Sequence, residues 1–227
     1  MMLWTGMFIL TTFVKKLLDL WVFFYKLTSF IPKEALCKLY YAFVFPYINF
    51  GVEVYANCSK TAIDKLNKIN NKLLRILLDK NYDTPNIELY RSFNVLPIPL
   101  LHEFKLLELI HKFYHHNHLL PEIFQGYFIT NNSIHQYSTR NKHNLHISTV
   151  NSSMGQRCSV YRGSKYWNDL PDYFKSISSV FLFKKNIKNY LLWRWLQLPC
   201  CRYCSYQTCF KSNIYSEYYC FYFRCCD

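Results

Sequence analysis

The chain has 227 residues, of which 51% are hydrophobic and 19% aromatic, and its formal net charge is +13. This length is enough for one domain with a sizeable core, with or without a tail, while only 5 glycines argue against a Gly-rich sandwich or a phosphate-cradling glycine loop. The positive charge favours an anionic partner, nucleic acid or a membrane surface, and says nothing about the fold.

The N-terminal region, residues 1–31, is apolar and is predicted to be a lead-in helix. The apolar run stops at Lys15 and Lys16, short of the roughly 18 residues that a membrane span needs, so we do not expect a membrane anchor. No basic residue precedes the run and no cleavage site follows it, which argues against a signal peptide. Helical spacing over 13–31 predicts one buried face, formed by Val14, Leu17, Leu18, Trp21, Phe24 and Tyr25.

The next stretch, Leu36 to Leu78, predicts two helices around a turn. The first begins after Pro32 and is predicted to end at Pro46, and Gly51 marks the turn. Ser59 is the predicted N-cap of the second helix. Its apolar face comprises Ile63, Leu66, Ile69, Leu73, Ile76 and Leu77. Asn70 falls inside this arc, so it should be buried with a hydrogen-bond partner.

The opposite face of that second helix is basic, because Lys65, Lys68, Lys72 and Arg75 lie at offsets of 0, 3, 7 and 10 residues. Such a stripe is either the solvated face of a core helix or a row of cations that follows a phosphate backbone. Both interpretations stay open at this point.

Beyond this helix, Asp83 or Thr84 is predicted to cap a short helix over 86–93. A longer helix should run from Leu100 to about Tyr114, and a cluster of histidines lies around its end: His111, His115, His116 and His118. His111 and His115 have the i, i+4 spacing that zinc accepts, with Glu108 one turn earlier. No cysteine lies near and no His-Glu-x-x-His pattern occurs, so no metal site is predicted; the helix dipole accounts for histidines at this end.

The remaining body is predicted to be a polar, irregular loop region over 127–158, then a buried Trp167 with a turn at Asn168, and a final helix over 178–195. Only three of the ten cysteines lie in the first 195 residues, which indicates an intracellular protein with isolated thiols. The last region, 196–227, holds the other seven, and its Cys201, Cys204, Cys209 and Cys220 suggest a four-cysteine zinc site only loosely. We expect this tail to have no stable structure.

These motifs, in this order, resemble the C-terminal part of reverse transcriptases from LINE-type (non-LTR) retrotransposons of the jockey-like kind. The similarity covers about residues 13–195. It rests on a Leu-x-x-Leu-Tyr helix running into Pro-x-x-x-x-Gly, a helix similar to Leu-x-x-Ile-Gln-Asn-Lys-x-Leu-Arg-Ile with Asn70 at the Gln position, and a Trp-Asn-x-Leu-Pro segment. The matching residues are Leu36, Leu39, Tyr40, Pro46, Gly51, Leu66, Ile69, Asn70, Asn71, Lys72, Leu74, Arg75, Ile76, Thr84, Pro85, Thr139, Arg140, Gly163, Trp167, Asn168, Leu170, Pro171, Phe183 and Lys184.

The resemblance implies a thumb and the helical region behind it. The family carries its catalytic aspartates in a palm that would lie upstream, and the seven aspartates of this chain include no adjacent acidic pair. In such polymerases the thumb packs a helix against the template–primer duplex, which suits Lys65, Lys68, Lys72 and Arg75.

The sequence therefore predicts a mainly α, irregular assembly of about five or six helices, divided into a lead-in helix (1–31), a thumb-like region (32–126), a connection region (127–195) and the tail. The expected function is that of a truncated retrotransposon-derived reverse transcriptase (RNA-directed DNA polymerase family). It would be inactive as an enzyme, have no cofactor, metal or small-molecule substrate, and at most bind nucleic acid. The alternative is a small membrane-associated or structural protein that uses the apolar N-terminus and the tail.

Overall fold

The computed structural model describes residues 2–134, 137 and 140–196, with the side chains of residues 6–195 in those ranges. Thr139 lies outside the described residues, and so does the predicted tail after residue 196. The chain up to Leu191 forms one compact unit, which contains the predicted lead-in and thumb-like regions and the connection region except its last residues.

The described residues are mainly helical, as predicted. Five helices have ten residues or more: α1 (Met2–Leu27), α5 (Lys60–Leu78), α7 (Ile98–His115), α10 (Ser159–Asn168) and α12 (Val180–Leu196). Shorter ones are α2 (Lys33–Leu39), α3 (Phe45–Asn49), α4 (Val52–Tyr55), α6 (Asn86–Phe93), α8 (Glu122–Gln125), α9 (Asn131–Ile134) and α11 (Asp172–Lys175). The predicted count of five or six was too low, because single-turn helices are too short to show a 3.6-residue period.

β structure within the described ranges is limited to one isolated antiparallel bridge, between Thr130 and Leu145. It lies in the region 127–158, which also holds α9 and a 3₁₀ turn at Gly155–Arg157 and is otherwise irregular. The prediction of a polar, irregular region is confirmed for its described residues.

Helix α1 lies within the predicted lead-in region 1–31, begins well before residue 13 and packs along α5 and α4. It buries Leu10, Phe13, Leu17 and Phe24, whereas the predicted core residues Leu18 and Tyr25 are exposed. The predicted face was wrong in these two residues because α1 is apolar on several sides, so that periodicity alone does not select the side on which α5 packs. None of the described helices combines the length and apolar character needed to cross a bilayer.

Pro46 does not end the helix before it, contrary to prediction. Helix α2 passes into a π-helical turn at Tyr40–Val44, where the Phe45 N–H reaches the Tyr40 carbonyl, and α3 follows directly. Pro46 therefore lies in the first turn of α3, where a residue needs no N–H for the hydrogen bonds of that helix. Gly51 forms the predicted turn, with a φ of 62° that favours glycine.

Two predicted caps differ in detail. Ser59 occupies the N-cap position of α5 as predicted, but its hydroxyl contacts Thr61 Oγ1 at 3.1 Å and no backbone N–H of the helix. The cap position of α6 belongs to Pro85 and not to Asp83 or Thr84. In both cases the helix begins directly after a residue whose backbone is extended, Ser59 before α5 and Pro85 before α6.

Asn70 is buried and hydrogen-bonded, as predicted. The Tyr40 hydroxyl donates to Asn70 Oδ1 at 3.0 Å, and Asn70 Nδ2 donates to the Tyr90 hydroxyl at 3.2 Å. Tyr90 in turn donates to Asn71 Oδ1 at 2.7 Å. Burial raises the pKa of Tyr90 to about 12 and that of Tyr40 further, so both hydroxyls stay protonated donors. The network joins α5 to α6 and to the π-helical turn.

The second half of the molecule is built on α7. A Cβ at Gly163 would lie 3.0 Å from Ile110 Cδ1, so glycine allows the close approach of α10 to α7. Trp167 is buried, as predicted, and stacks on Tyr114 of α7 with 5.1 Å between ring centroids. The Asn168 amide pairs with Leu145 like a neighbouring strand, accepting from its N–H and donating to its carbonyl, both at 2.9 Å. Pro171 precedes α11 at its N-cap.

Candidate nucleic-acid interface

The basic face of α5 lies opposite the side that packs on α1, α2 and α6. Lys65, Lys68 and Lys72 are exposed, and none makes an ion pair with a described carboxylate. Lys65 and Lys72 are seven residues apart, which at 1.5 Å per residue is about 10 Å along the helix. The three lysines thus form an open row of cations, here called the α5 lysine row.

One aromatic ring lies beside this row. The Lys72 ammonium lies 6.0 Å from the centre of the Trp21 ring on α1. That distance is at the outer limit for a cation–π contact, so the ring restricts Lys72 only weakly. Lys72 therefore keeps all three of its N–H donors available to a ligand.

Arg75 differs from the three lysines, although the spacing places it on the same face. It is half-buried, and its Nη2 donates to the Thr84 carbonyl at 3.1 Å and to Asn86 Oδ1 at 2.8 Å. Its guanidinium carbon also lies 5.4 Å from the centre of the Tyr82 ring. Arg75 holds the connection between α5 and α6, and this contact cannot be foreseen from helical spacing.

The other residues singled out from the sequence lie away from the α5 lysine row. Pro46 and Gly51 shape the chain before α5, while Trp167, Asn168 and Pro171 organise the region around α7 and α10. Their contacts are packing and backbone hydrogen bonds, which gives them structural roles.

A second group of charged residues surrounds Glu108 on α7. The sequence analysis named Glu108 and Lys184 separately and did not predict that they meet. The Glu108 carboxylate is buried and lies 3.5 Å from Lys105 Nζ, 3.1 Å from Lys112 Nζ and 2.8 Å from Lys184 Nζ of α12. Burial alone raises the pKa of Glu108, but the lysines outweigh it and the net shift is downward, so the carboxylate is ionised. We call these four residues the Glu108 cluster. The i−3 and i+4 spacing of Lys105 and Lys112 is a sequence signal for part of it.

Three of the four histidines hold the segment before α12. Nε2 of His111, His115 and His116 lies 2.6, 2.9 and 2.8 Å from the carbonyls of Ile177, Lys175 and Ser178. These contacts require an N–H on each Nε2, so the three rings act as donors. His111 is fully buried and stacks on Phe183 at 4.1 Å, and burial lowers its pKa to about 4. The three histidines together hold the segment 175–178 against the end of α7.

The i, i+4 spacing of His111 and His115 is one that zinc accepts, although the sequence predicts no metal site here. Among the residues that the structure describes, no three His, Cys, Asp or Glu side chains are arranged to hold a metal ion. The four cysteines considered as a zinc site, Cys201, Cys204, Cys209 and Cys220, lie outside the described residues.

The geometry thus offers two groups of cations on different helices, of which one is an open row and the other is arranged around a buried carboxylate. Comparisons of the whole chain with protein families, with curated proteins and with solved structures find no match.

Proposed function

We propose that this chain is the thumb and following helical region of a LINE-type reverse transcriptase, of the RNA-directed DNA polymerase family, and that it binds nucleic acid through α5. The observation that carries the proposal is the α5 lysine row, three exposed ammonium groups on one helical face with no carboxylate partner among the described residues. The ligand is a template–primer duplex or a structured RNA.

The chemistry of the row suits a phosphate backbone. Ammonium groups on flexible stems neutralise phosphates without reading bases, so binding should be independent of sequence and should weaken steeply with salt. The net charge of +13 adds long-range attraction for any polyanion. The rigid packing of α5 against α1 and α6 would present the three lysines together.

The same proposal assigns no catalytic step to this chain. Phosphoryl transfer by polymerases needs carboxylates that converge on two metal ions. The fourteen acidic residues include no adjacent pair, and Glu108, which is buried, is already surrounded by three lysines. Polymerisation in this family would require the palm, so we assign the chain a binding role only.

The test is the salt dependence of binding. Fluorescence anisotropy of the full chain with a labelled 20-base-pair RNA–DNA duplex should give a steep fall of affinity with salt. Replacing Lys65, Lys68 and Lys72 by Gln should reduce the slope of log K against log salt by about 2 to 3, at about 0.9 for each lost phosphate contact.

Two control variants make this result specific. Replacing the same three lysines by Arg keeps the charge and should preserve binding. Replacing Lys38 and Lys165 by Gln removes two exposed charges elsewhere and should change the slope much less than the triple variant. Affinity that does not respond to salt, or a Gln triple variant that binds like the unmodified chain, would refute the proposed interface.

A second candidate function, association with a membrane surface, is favoured by the outer side of α1. Phe8 is 74% exposed, and Leu18, Val22, Phe23 and Tyr25 are also exposed. Apolar side chains on an outward helix face would insert into the interfacial layer of a bilayer. Co-sedimentation with phosphatidylcholine vesicles, lost when Phe8 and Val22 become Ser, would support this function. Absence of sedimentation would exclude it without affecting the first proposal.

A further inference from the structure

The Glu108 cluster contains more positive charge than its carboxylate can balance. Three ammonium groups meet one carboxylate at 2.8–3.5 Å, which leaves a formal excess of two positive charges at one place. Helix α12 contains no Asp or Glu, and the other acidic residue of α7, Glu103, is buried. No further carboxylate on these two helices is exposed to neutralise the excess.

Two lysines of this cluster, Lys112 and Lys184, are readily accessible, and the Lys105 side chain is 23% exposed. The exposed side-chain fractions of Lys112 and Lys184 are 36% and 41%, while the Glu108 side chain is 10% exposed. Each ammonium group has three donors, and a contact with Glu108 uses one. The carboxylate thus acts as an internal tether that gathers the ammonium groups and leaves their remaining donors directed elsewhere.

Gathered ammonium groups suit a tetrahedral anion. A phosphate group has several acceptor oxygens and can take hydrogen bonds from separate donors at once. Holding the lysines in place before binding also reduces the rotamer entropy that a flexible lysine would lose. Lys188 lies one turn after Lys184 on α12, but it is half-buried and burial lowers the pKa of its ammonium, so it is not counted in the site.

We propose that Lys105, Lys112 and Lys184 form a second phosphate-binding site, for the phosphodiester backbone of nucleic acid. The site uses no residue of α5 and extends the proposed function to a second contact. It lies in the same compact unit as the α5 lysine row, so one long polyanion could meet both. Nucleic acid fits better than a small free ion, because only a polymer gains from two separate groups of cations.

Replacing Glu108 should change the affinity for nucleic acid in the opposite direction to replacing the lysines, which provides a specific test of the site. Glu108→Gln removes the internal negative charge but keeps a side chain of the same shape, whose carbonyl still accepts from the ammonium groups. The lysines therefore stay gathered and should bind phosphate more tightly, because no negative charge opposes the ligand. One negative charge about 6 Å from a phosphate corresponds to about threefold in affinity in water. The double variant Lys112→Gln, Lys184→Gln should instead lower the affinity and reduce the salt slope by about 1 to 2.

The measurement uses the full chain and the labelled 20-base-pair duplex at 50 mM salt. Each variant is prepared both in the unmodified chain and in the chain whose α5 lysine row is replaced by Gln. In the second background the proposed α5 contact is already gone, so failure of that contact and failure of this site are separable. Lys38→Gln serves as the single-charge control, and urea unfolding verifies that each variant is folded.

Tighter binding by Glu108→Gln together with weaker binding by the lysine double variant, in both backgrounds, supports the site. Unchanged or weaker binding by folded Glu108→Gln overturns it. Free pyrophosphate at millimolar concentration should compete only weakly. If vesicles containing phosphatidylserine bind with the same dependence on Lys112 and Lys184 while the duplex shows none, the nucleic-acid assignment is wrong.

Discussion

The two groups of lysines use the same residue type in opposite settings. The α5 lysine row lies on a helix whose other face is buried against α1 and α6, and its ammonium groups have no carboxylate partner among the described residues. In the Glu108 cluster the cations face a buried carboxylate at 2.8–3.5 Å and come from two helices. The first arrangement contributes little to stability, whereas removal of Glu108 from the second would leave three ammonium groups without their carboxylate.

The regions differ equally in their buried polar groups. The α5 region buries an amide and two hydroxyls that are neutral at every ordinary pH and satisfy each other. The α7 region buries imidazoles, His102 and His111, whose charge changes with pH. Stability in the α7 region should therefore depend on pH and in the α5 region on hydrogen-bond geometry.

The largest expected effect is acid destabilisation through α7. Burial lowers the pKa of His102 and of His111 to about 4. Arg162 acts in the same direction on His102. For His111, the hydrogen bond to the Ile177 carbonyl and the Glu108 charge oppose the shift, and the neighbouring His115 and His116 add to it. The unfolded chain binds these protons near pH 6.5, so stability is complete above that value and falls until about pH 4. Between pH 7 and pH 5 the loss should be about 2 kcal/mol for each imidazole.

Urea unfolding at pH 7 and at pH 5 measures this loss. His111→Gln keeps an N–H donor for the Ile177 carbonyl and should reduce the pH dependence by about half. His118→Gln is the matched control, because His118 is exposed and should leave it unchanged. Equal stability of the unmodified chain at the two pH values would contradict the assignment of neutral, buried imidazoles.

A comparable effect, independent of pH, is expected on the buried side of α5. Asn70→Ala removes the acceptor of the Tyr40 hydroxyl and one partner of Tyr90. Leaving a buried hydroxyl unsatisfied costs about 1–3 kcal/mol, so unfolding free energy should fall by about that amount. Lys68→Ala, on the opposite face of the same helix, should change it by less than about 0.5 kcal/mol. Similar losses for both would mean that the two faces are not distinct.

The smallest expected effect separates Arg75 from the lysines beside it. Arg75→Met removes two hydrogen bonds to the α5–α6 connection and should cost about 1–2 kcal/mol of stability. Lys72→Met should leave stability nearly unchanged and reduce the salt slope of duplex binding by about 0.9. If Arg75→Met reduced the salt slope of duplex binding more than Lys72→Met does, these assignments would be wrong and Arg75 would belong to the nucleic-acid interface.

The spacing of apolar and basic residues was sufficient to predict α5 from the sequence. Its range, the burial of Asn70 and the exposure of Lys65, Lys68 and Lys72 all follow from a 3.6-residue period with one strong apolar side. The turn at Gly51 follows in the same way, since few other residues adopt a positive φ without strain. These features depend on interactions within a few residues, and sequence spacing reports such interactions directly.

Features that join distant segments could be seen only in the tertiary structure. Which side of α1 is buried depends on where α5 and α4 pack, and the partners of Arg75 depend on the path of residues 82–86. Lys184 meets Glu108 across 76 positions of sequence, and the three histidines meet carbonyls more than 50 positions away. Such contacts arise from chain topology and close packing, which a helical period does not encode.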